Sequence, residues 1–144
     1  MPKTVQEMLD SRLFFAIKKL NRALDKISEE SFQKVGLSPS QSTILMILDM
    51  ENGKLHKDLA KILGVTAPTL TRIIEKLVHK GLVEIICKGR TKHVYITDEG
   101  RKVIPSIQQA HSEVKQLFNR FVKNYPENLV EELNKITQQL KFCE

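Results

Sequence analysis

Residues 54–97 place two helical patterns, a glycine turn and two β-rich runs in immediate succession, and few folds accept that order. Leu55, Leu59 and Ile62 mark one short helical face, after which Leu63-Gly64-Val65 turns the chain. Thr66 stands where an N-cap is wanted, Pro68 suits the first turn, and Leu70, Ile73, Ile74 and Leu77 recur at helical spacing until Gly81. LVEIIC (82–87) and KHVYIT (92–97) follow, joined by Lys88-Gly89-Arg90-Thr91, which predicts a β-hairpin with a four-residue tip.

Helical periodicity dominates on either side. Leu9, Leu13, Ile17, Leu20, Leu24 and Ile27 predict one long amphipathic helix over about residues 5–34, ended by Gly36. Ser38-Pro39-Ser40-Gln41 restarts the chain as a capping box, and the helix to about Met50 is apolar nearly all round, as a central core helix would be. Thr97 can cap a long fifth helix through Val103, Ile107, Ala110, Val114, Leu117 and Phe121, in which Pro105 predicts a kink or a late start. Pro126 is expected to open a last helix carrying Leu129, Leu133, Ile136 and Leu140.

The fold class is therefore mainly α with a small β-hairpin wing: a winged helix-turn-helix over 37–100, flanked by long N- and C-terminal helices over 1–36 and 101–144. Those flanking seams exceed what a winged helix needs for its own core. They predict a dimerisation lobe that buries its surplus apolar surface against a second copy.

Charge is concentrated in the same stretch. Between Lys54 and Thr97 there are nine Lys or Arg and three Asp or Glu, a balance of 9 − 3 = +6, which equals the net charge of the whole chain. The remaining residues cancel, so the basic excess is local, as in a segment that binds a polyanion. With the apolar positions of the second helix turned inward, Ala67, Pro68, Thr69, Thr71, Arg72, Glu75 and Lys76 lie outward or at the margins. Small and hydroxyl-bearing residues at a helix start allow close approach to base edges in a major groove, and Thr66 can both cap the helix and lie near the duplex. Lys88, Arg90 and Lys92 crowd positive charge at the hairpin tip, suited to a phosphate backbone or narrow minor groove. Lys54 and Lys57, expected on the first helix of the motif, would hold phosphates without reading sequence. Ser38 and Gln41, at the start of the second helix of the chain, complete the candidate DNA-contacting set.

The order of elements and the run GLSPSQSTILMIL…KLHKDLAKILGVTAPTLTRIIEKLVHKGLVEI…GRTKHVYITDEG resemble the MarR family of bacterial winged helix-turn-helix transcriptional regulators. The resemblance covers essentially the whole chain and is best over Gly36–Gly100, in the Gly-Val-Thr-x-Pro-Thr segment, Thr71-Arg72, Lys80-Gly81-Leu82-Val83 and Thr97-x-x-Gly100. It implies an obligate homodimer on double-stranded DNA and a repressor or activator of nearby genes, of a kind that often loses DNA affinity on binding a small phenolic or aromatic effector. One departure stands out: the family wing is longer and carries Asp-x-Arg-Arg, of which Arg90 alone matches.

Other chemistries find little support. His56, His79, His93 and His111 lack metal-ligand spacing, and Cys87 and Cys143 form neither a C-x-x-C pair nor the N-terminal redox cysteine of some relatives, so packing is the expected role of both. Phe14 and Phe15 are expected in the core rather than in an effector pocket. No phosphate loop, nucleophile elbow or paired carboxylates suggest an enzyme or a cofactor. With no apolar run of membrane-spanning length, a soluble cytoplasmic protein is expected. The alternative to a regulator is a winged-helix protein-interaction module that does not bind DNA sequence-specifically.

Overall fold

The computed structural model describes residues 4–140, and chain contacts divide it into two compact units, one reaching to Val114 and one from Lys115. The first unit begins with two helices, α1 (Val5–Asp10) and α2 (Leu13–Gln33), where periodicity predicts one. Arg12 between them is extended, with φ −95° and ψ 127°. The Ser11 hydroxyl donates to Met8 O at 2.6 Å, and Ser11 N–H bonds to Glu7 O at 3.2 Å. Such local hydroxyl bonding competes with helix continuation, and apolar spacing does not report it.

α3 (Pro39–Met50) starts as expected, with Ser38 Oγ accepting from Gln41 N–H at 3.2 Å and Gln41 Oε1 accepting from Ser38 N–H at 3.2 Å. Its Ile44, Leu45 and Leu48 are fully buried, so α3 is the central helix of this unit. Around it lie α4 (His56–Leu63), α5 (Ala67–His79) and a three-stranded antiparallel sheet. Gly64, at φ 67°, supplies the left-handed cap that ends α4, and Thr66 restarts the helix by accepting from Thr69 N–H. Leu70, Ile74 and Leu77 are buried as the sequence predicts, with Ile73 packed at their edge. On α4 the expected face is shifted: Leu59 and Ala60 are buried, whereas Ile62 is 55% exposed.

The sheet runs β1 (Lys54–Leu55), β3 (Thr91–Ile96), β2 (Val83–Lys88). The short β1, absent from the sequence reading, pairs Lys54 with Val94 and Leu55 with His93. Two residues carry no periodicity that could announce a strand. The pairing of Lys88 with Thr91 tightens the hairpin tip from four residues to Gly89-Arg90. Gly89 takes the positive φ, 62°, that a two-residue hairpin turn requires at its first central position.

α6 (Asp98–Phe121) begins where Thr97 Oγ1 accepts from Gly100 N–H at 3.1 Å, and it continues through Pro105, so the late start is not seen. A proline leaves one helix bond unmade, and the apolar face of Ile104, Ile107 and Ala110 remains continuous in burial around it. In the second unit α7 (Leu129–Leu140) starts later than Pro126, which lies in the preceding turn and accepts from Leu129 N–H at 3.1 Å. Phe118 and Tyr125 meet edge to face there, with centroids 5.1 Å apart.

Apolar side chains remain exposed on both units, Leu13, Phe14, Ile17 and Leu20 on α2 and Val130, Leu133, Ile136 and Leu140 on α7. Phe14 is 65% exposed and Phe15 also lies at the surface, so neither belongs to the core of the chain as expected. Cys87 is exposed on β2 rather than packed, and Cys143 lies outside the described residues. Among the described residues no helix is long and apolar enough to cross a membrane.

Gly100 is where α6 meets the sheet most closely. A Cβ there would fall on the Leu82 carbonyl oxygen and lie 2.7 Å from Ile96 Cγ1. Glycine-to-alanine within a helix ordinarily gains about 1 kcal/mol. Gly100→Ala should instead destabilise by about 1–3 kcal/mol, because backbone must move, and urea unfolding reads the sign directly.

Candidate nucleic-acid interface

The face formed by α4, α5 and the hairpin tip holds a cleft of about 450 Å³. Leu55, His56 and Lys57 line it from the start of α4, Ala67 and Thr71 from α5, and Arg90, Thr91 and Lys92 from the wing. Three of these are basic and none carries a carboxylate, so the concavity is cationic. Residues 10 to 37 positions apart meet there because α4 and α5 share the Gly64 turn and the hairpin folds back over both.

At the start of α5, Thr66 caps through a 3.3 Å bond from Thr69 N–H, and its hydroxyl donates to Thr69 Oγ1 at 3.0 Å. Arg72 Nη2 reaches the same oxygen at 3.4 Å, so Thr66, Thr69 and Arg72 are linked on one helix face. Ala67, Pro68 and Lys76 are exposed, and Thr71 is half-buried with its oxygen 3.2 Å from His56 Nε2. His56 did not stand out in the sequence as more than one of four scattered histidines. The tertiary contact with Thr71, across 15 positions, is what gives it a place in the cleft.

The wing divides its charges. Lys88 pairs with Thr91 and Lys92 with Cys87, so strand alternation places the two lysines on opposite faces of the hairpin. Lys92 and Arg90 line the cleft, whereas Lys88 turns back to Tyr95, donating to its hydroxyl at 3.2 Å. Lys57 sits on α4 as expected. Lys54 does not: it lies on β1 and is ion-paired with Glu51, whose carboxylate raises the Lys54 pKa. Ser38 and Gln41 occupy the start of α3 and do not line the cleft; Gln41 is 7% exposed and committed to its capping box.

Residues 35–87 match the model of the MarR family, and residues 67–108 match that of the DUF6293 C-terminal winged helix domain. The uncharacterized HTH-type transcriptional regulator YybA of Bacillus subtilis strain 168 is 29% identical over 91 residues, 61% of each chain. The stretch from 35 to 87 is thus similar to the MarR family. Solved structures of similar fold extend over nearly all of the chain. The Mycobacterium tuberculosis regulator MosR, solved in complex with DNA, superposes with a TM-score of 0.77 at 21% identity, covering 92% of this chain and 98% of that one. CouR of Rhodococcus jostii RHA1, solved with p-coumaroyl-CoA, gives 0.78 at 18% identity, covering 93% and 94%. The match to YybA spans about three-fifths of that relative's length.

Burial, and then the nearby Lys92, hold the His56 imidazole below its ordinary value. The unfolded chain takes up this proton near pH 6.5 and the folded chain at a lower pH. The stability that His56 contributes is thus present above about pH 6.5 and is lost as pH falls through the folded value. His56→Gln should flatten this dependence, so that wild type loses stability relative to the variant between about pH 7 and pH 5 in urea titrations.

Proposed function

We propose that this protein is a regulator of the MarR type, a sequence-specific, double-stranded DNA-binding transcriptional regulator that binds a pseudopalindromic operator as a homodimer. The cationic cleft between α4, α5 and the wing tip carries the reading, because Lys57, Arg90 and Lys92 converge in a lining that holds no carboxylate. In this arrangement α5 enters the major groove with Thr66, Ala67, Pro68, Thr69, Thr71, Arg72 and Lys76 toward the duplex. Lys57, Arg90 and Lys92 hold phosphates or the adjacent minor groove. Lys88 joins them by leaving Tyr95, while Lys54, Ser38 and Gln41 support the site from outside the cleft.

Residues 37–100 form the DNA-binding domain in this reading, and 1–36 with 101–144 form the dimerisation lobe. The exposed apolar rows on α2 and α7 supply surface for a second copy, which a single chain leaves in water. A two-fold dimer would set paired α5 helices about one turn of DNA apart.

Repression relieved by a small aromatic or phenolic effector, in the cytoplasm, completes the proposal. CouR shares the fold and was solved with p-coumaroyl-CoA. In this chain a cleft of about 340 Å³ between α2 and α6 is lined by Ser31, Lys34, Gln109 and Glu113, among others. The buried Ser31 hydroxyl has no hydrogen-bond partner among the described residues, which favours a polar group on whatever occupies the cleft.

The chain should bind DNA from upstream of its own gene more tightly than a random duplex at moderate salt. Equal affinity for the two would sink sequence-specific regulation. Arg90→Ala should weaken binding to all sequences and lower the slope of log K against log salt by about 1. Thr69→Val, which deletes a hydroxyl proton with no acceptor in the chain's own hydrogen bonds, should change base preference and leave the slope in place.

A further inference from the structure

Thr69 and Thr71 are alike in sequence, but their hydroxyls differ in what they have left to offer. Thr71 Oγ1 lies 3.0 Å from Ala67 O, and a carbonyl oxygen can only accept, so the single hydroxyl proton goes to Ala67. The other neighbour of that oxygen is His56 Nε2, at 3.2 Å. With the proton of Thr71 already committed, Nε2 must be the donor, which fixes the neutral imidazole as the Nε2–H form with Nδ1 unprotonated. Thr71 therefore has no donor for base acceptors or phosphate oxygens. Thr69 accepts from Thr66 and from Arg72, and among the described residues its own proton meets no acceptor.

We propose that Thr71 meets DNA through its Cγ2 methyl, as a reader of a thymine methyl group, with His56 as the positioning residue that keeps the hydroxyl turned away. This rests on α5 being the helix that enters the major groove. Thymine is the base whose major-groove edge carries a methyl group, and apolar contact with it is a recognised means of readout. The two threonines on this helix then have separate tasks, Thr69 donating a hydrogen bond and Thr71 supplying an apolar contact. Neither task is visible from residue type, since each side chain carries both a hydroxyl and a methyl.

The test uses the full-length chain and a duplex selected from a random-sequence pool, with each thymine replaced in turn by uracil, which removes the methyl and nothing else. At one position per half-site, uracil should cost the wild type about fourfold in affinity, the value of one buried methyl. Thr71→Val should retain that loss and Thr71→Ser should abolish it. His56→Gln, whose amide can still donate to Thr71, should behave as wild type, and His56→Leu should reduce the uracil effect. A uracil penalty that survives Thr71→Ser, or no penalty anywhere, overturns the proposal while leaving DNA binding intact. Selection of no duplex at all overturns the proposed function and this assignment with it. Independently of DNA, 15N NMR of the free protein at neutral pH should show His56 protonated at Nε2. Protonation at Nδ1 would overturn the hydrogen-bond assignment whatever the protein binds.

Discussion

The burial of Leu70, Ile74 and Leu77 sets the rotation of α5, and the outer face of the protein follows from it. These side chains pack where α5 meets α3, α4 and β2. Each fully buried aliphatic side chain is worth about 1.5–3 kcal/mol relative to exposure, so turning the helix to present another face would expose several at once. Because the helix repeats every 3.6 residues, fixing these positions leaves Thr69, Arg72 and Lys76 outward and Thr71 at the margin. The outer face of α5 is thereby held in place by residues on its opposite side.

The second constraint lies where the hairpin returns to α6. Thr97 N–H bonds to Leu82 O at 3.0 Å, Thr97 Oγ1 donates to Gly81 O at 2.7 Å, and the same oxygen accepts from Gly100 N–H. One threonine thus joins the end of α5, the base of the sheet and the start of α6. Gly100 permits the approach because it has no Cβ to meet Leu82 O. With its base held at this junction, and β3 held by β1 on its other edge, the wing can carry Arg90 and Lys92 to the mouth of α4 and α5. Its two-residue tip is short, and Lys88 is directed to Tyr95, so the cationic character of the cleft depends on Arg90 and Lys92 from the wing and Lys57 from α4.

Much of this was legible in the chain because it depends on short-range rules. The Ser38 capping box, the Thr66 cap, the left-handed Gly64 and the buried row on α5 follow from residue type and helical spacing, and each is present. The errors share a cause as well. The break at Ser11-Arg12, the two-residue β1 and the tightened hairpin tip turn on individual hydrogen bonds that periodicity averages away. Phe14 and Phe15 were assigned to the core by hydrophobicity, yet an apolar row on a long helix can as well face outward from its own chain.

By itself the sequence determined the order of the main helices and the hairpin, the helix caps, the inward row of α5 and the concentration of charge between Lys54 and Thr97, since all of these are set by neighbours within a few residues. The tertiary structure decided which charges converge and which hydroxyls are spent. Lys54 is drawn to Glu51 and Lys88 to Tyr95, while His56 comes to Thr71 from another helix. A hydrogen bond or ion pair depends on distance in space, and for His56 and Thr71 that distance exists because the Gly64 turn brings two helices together.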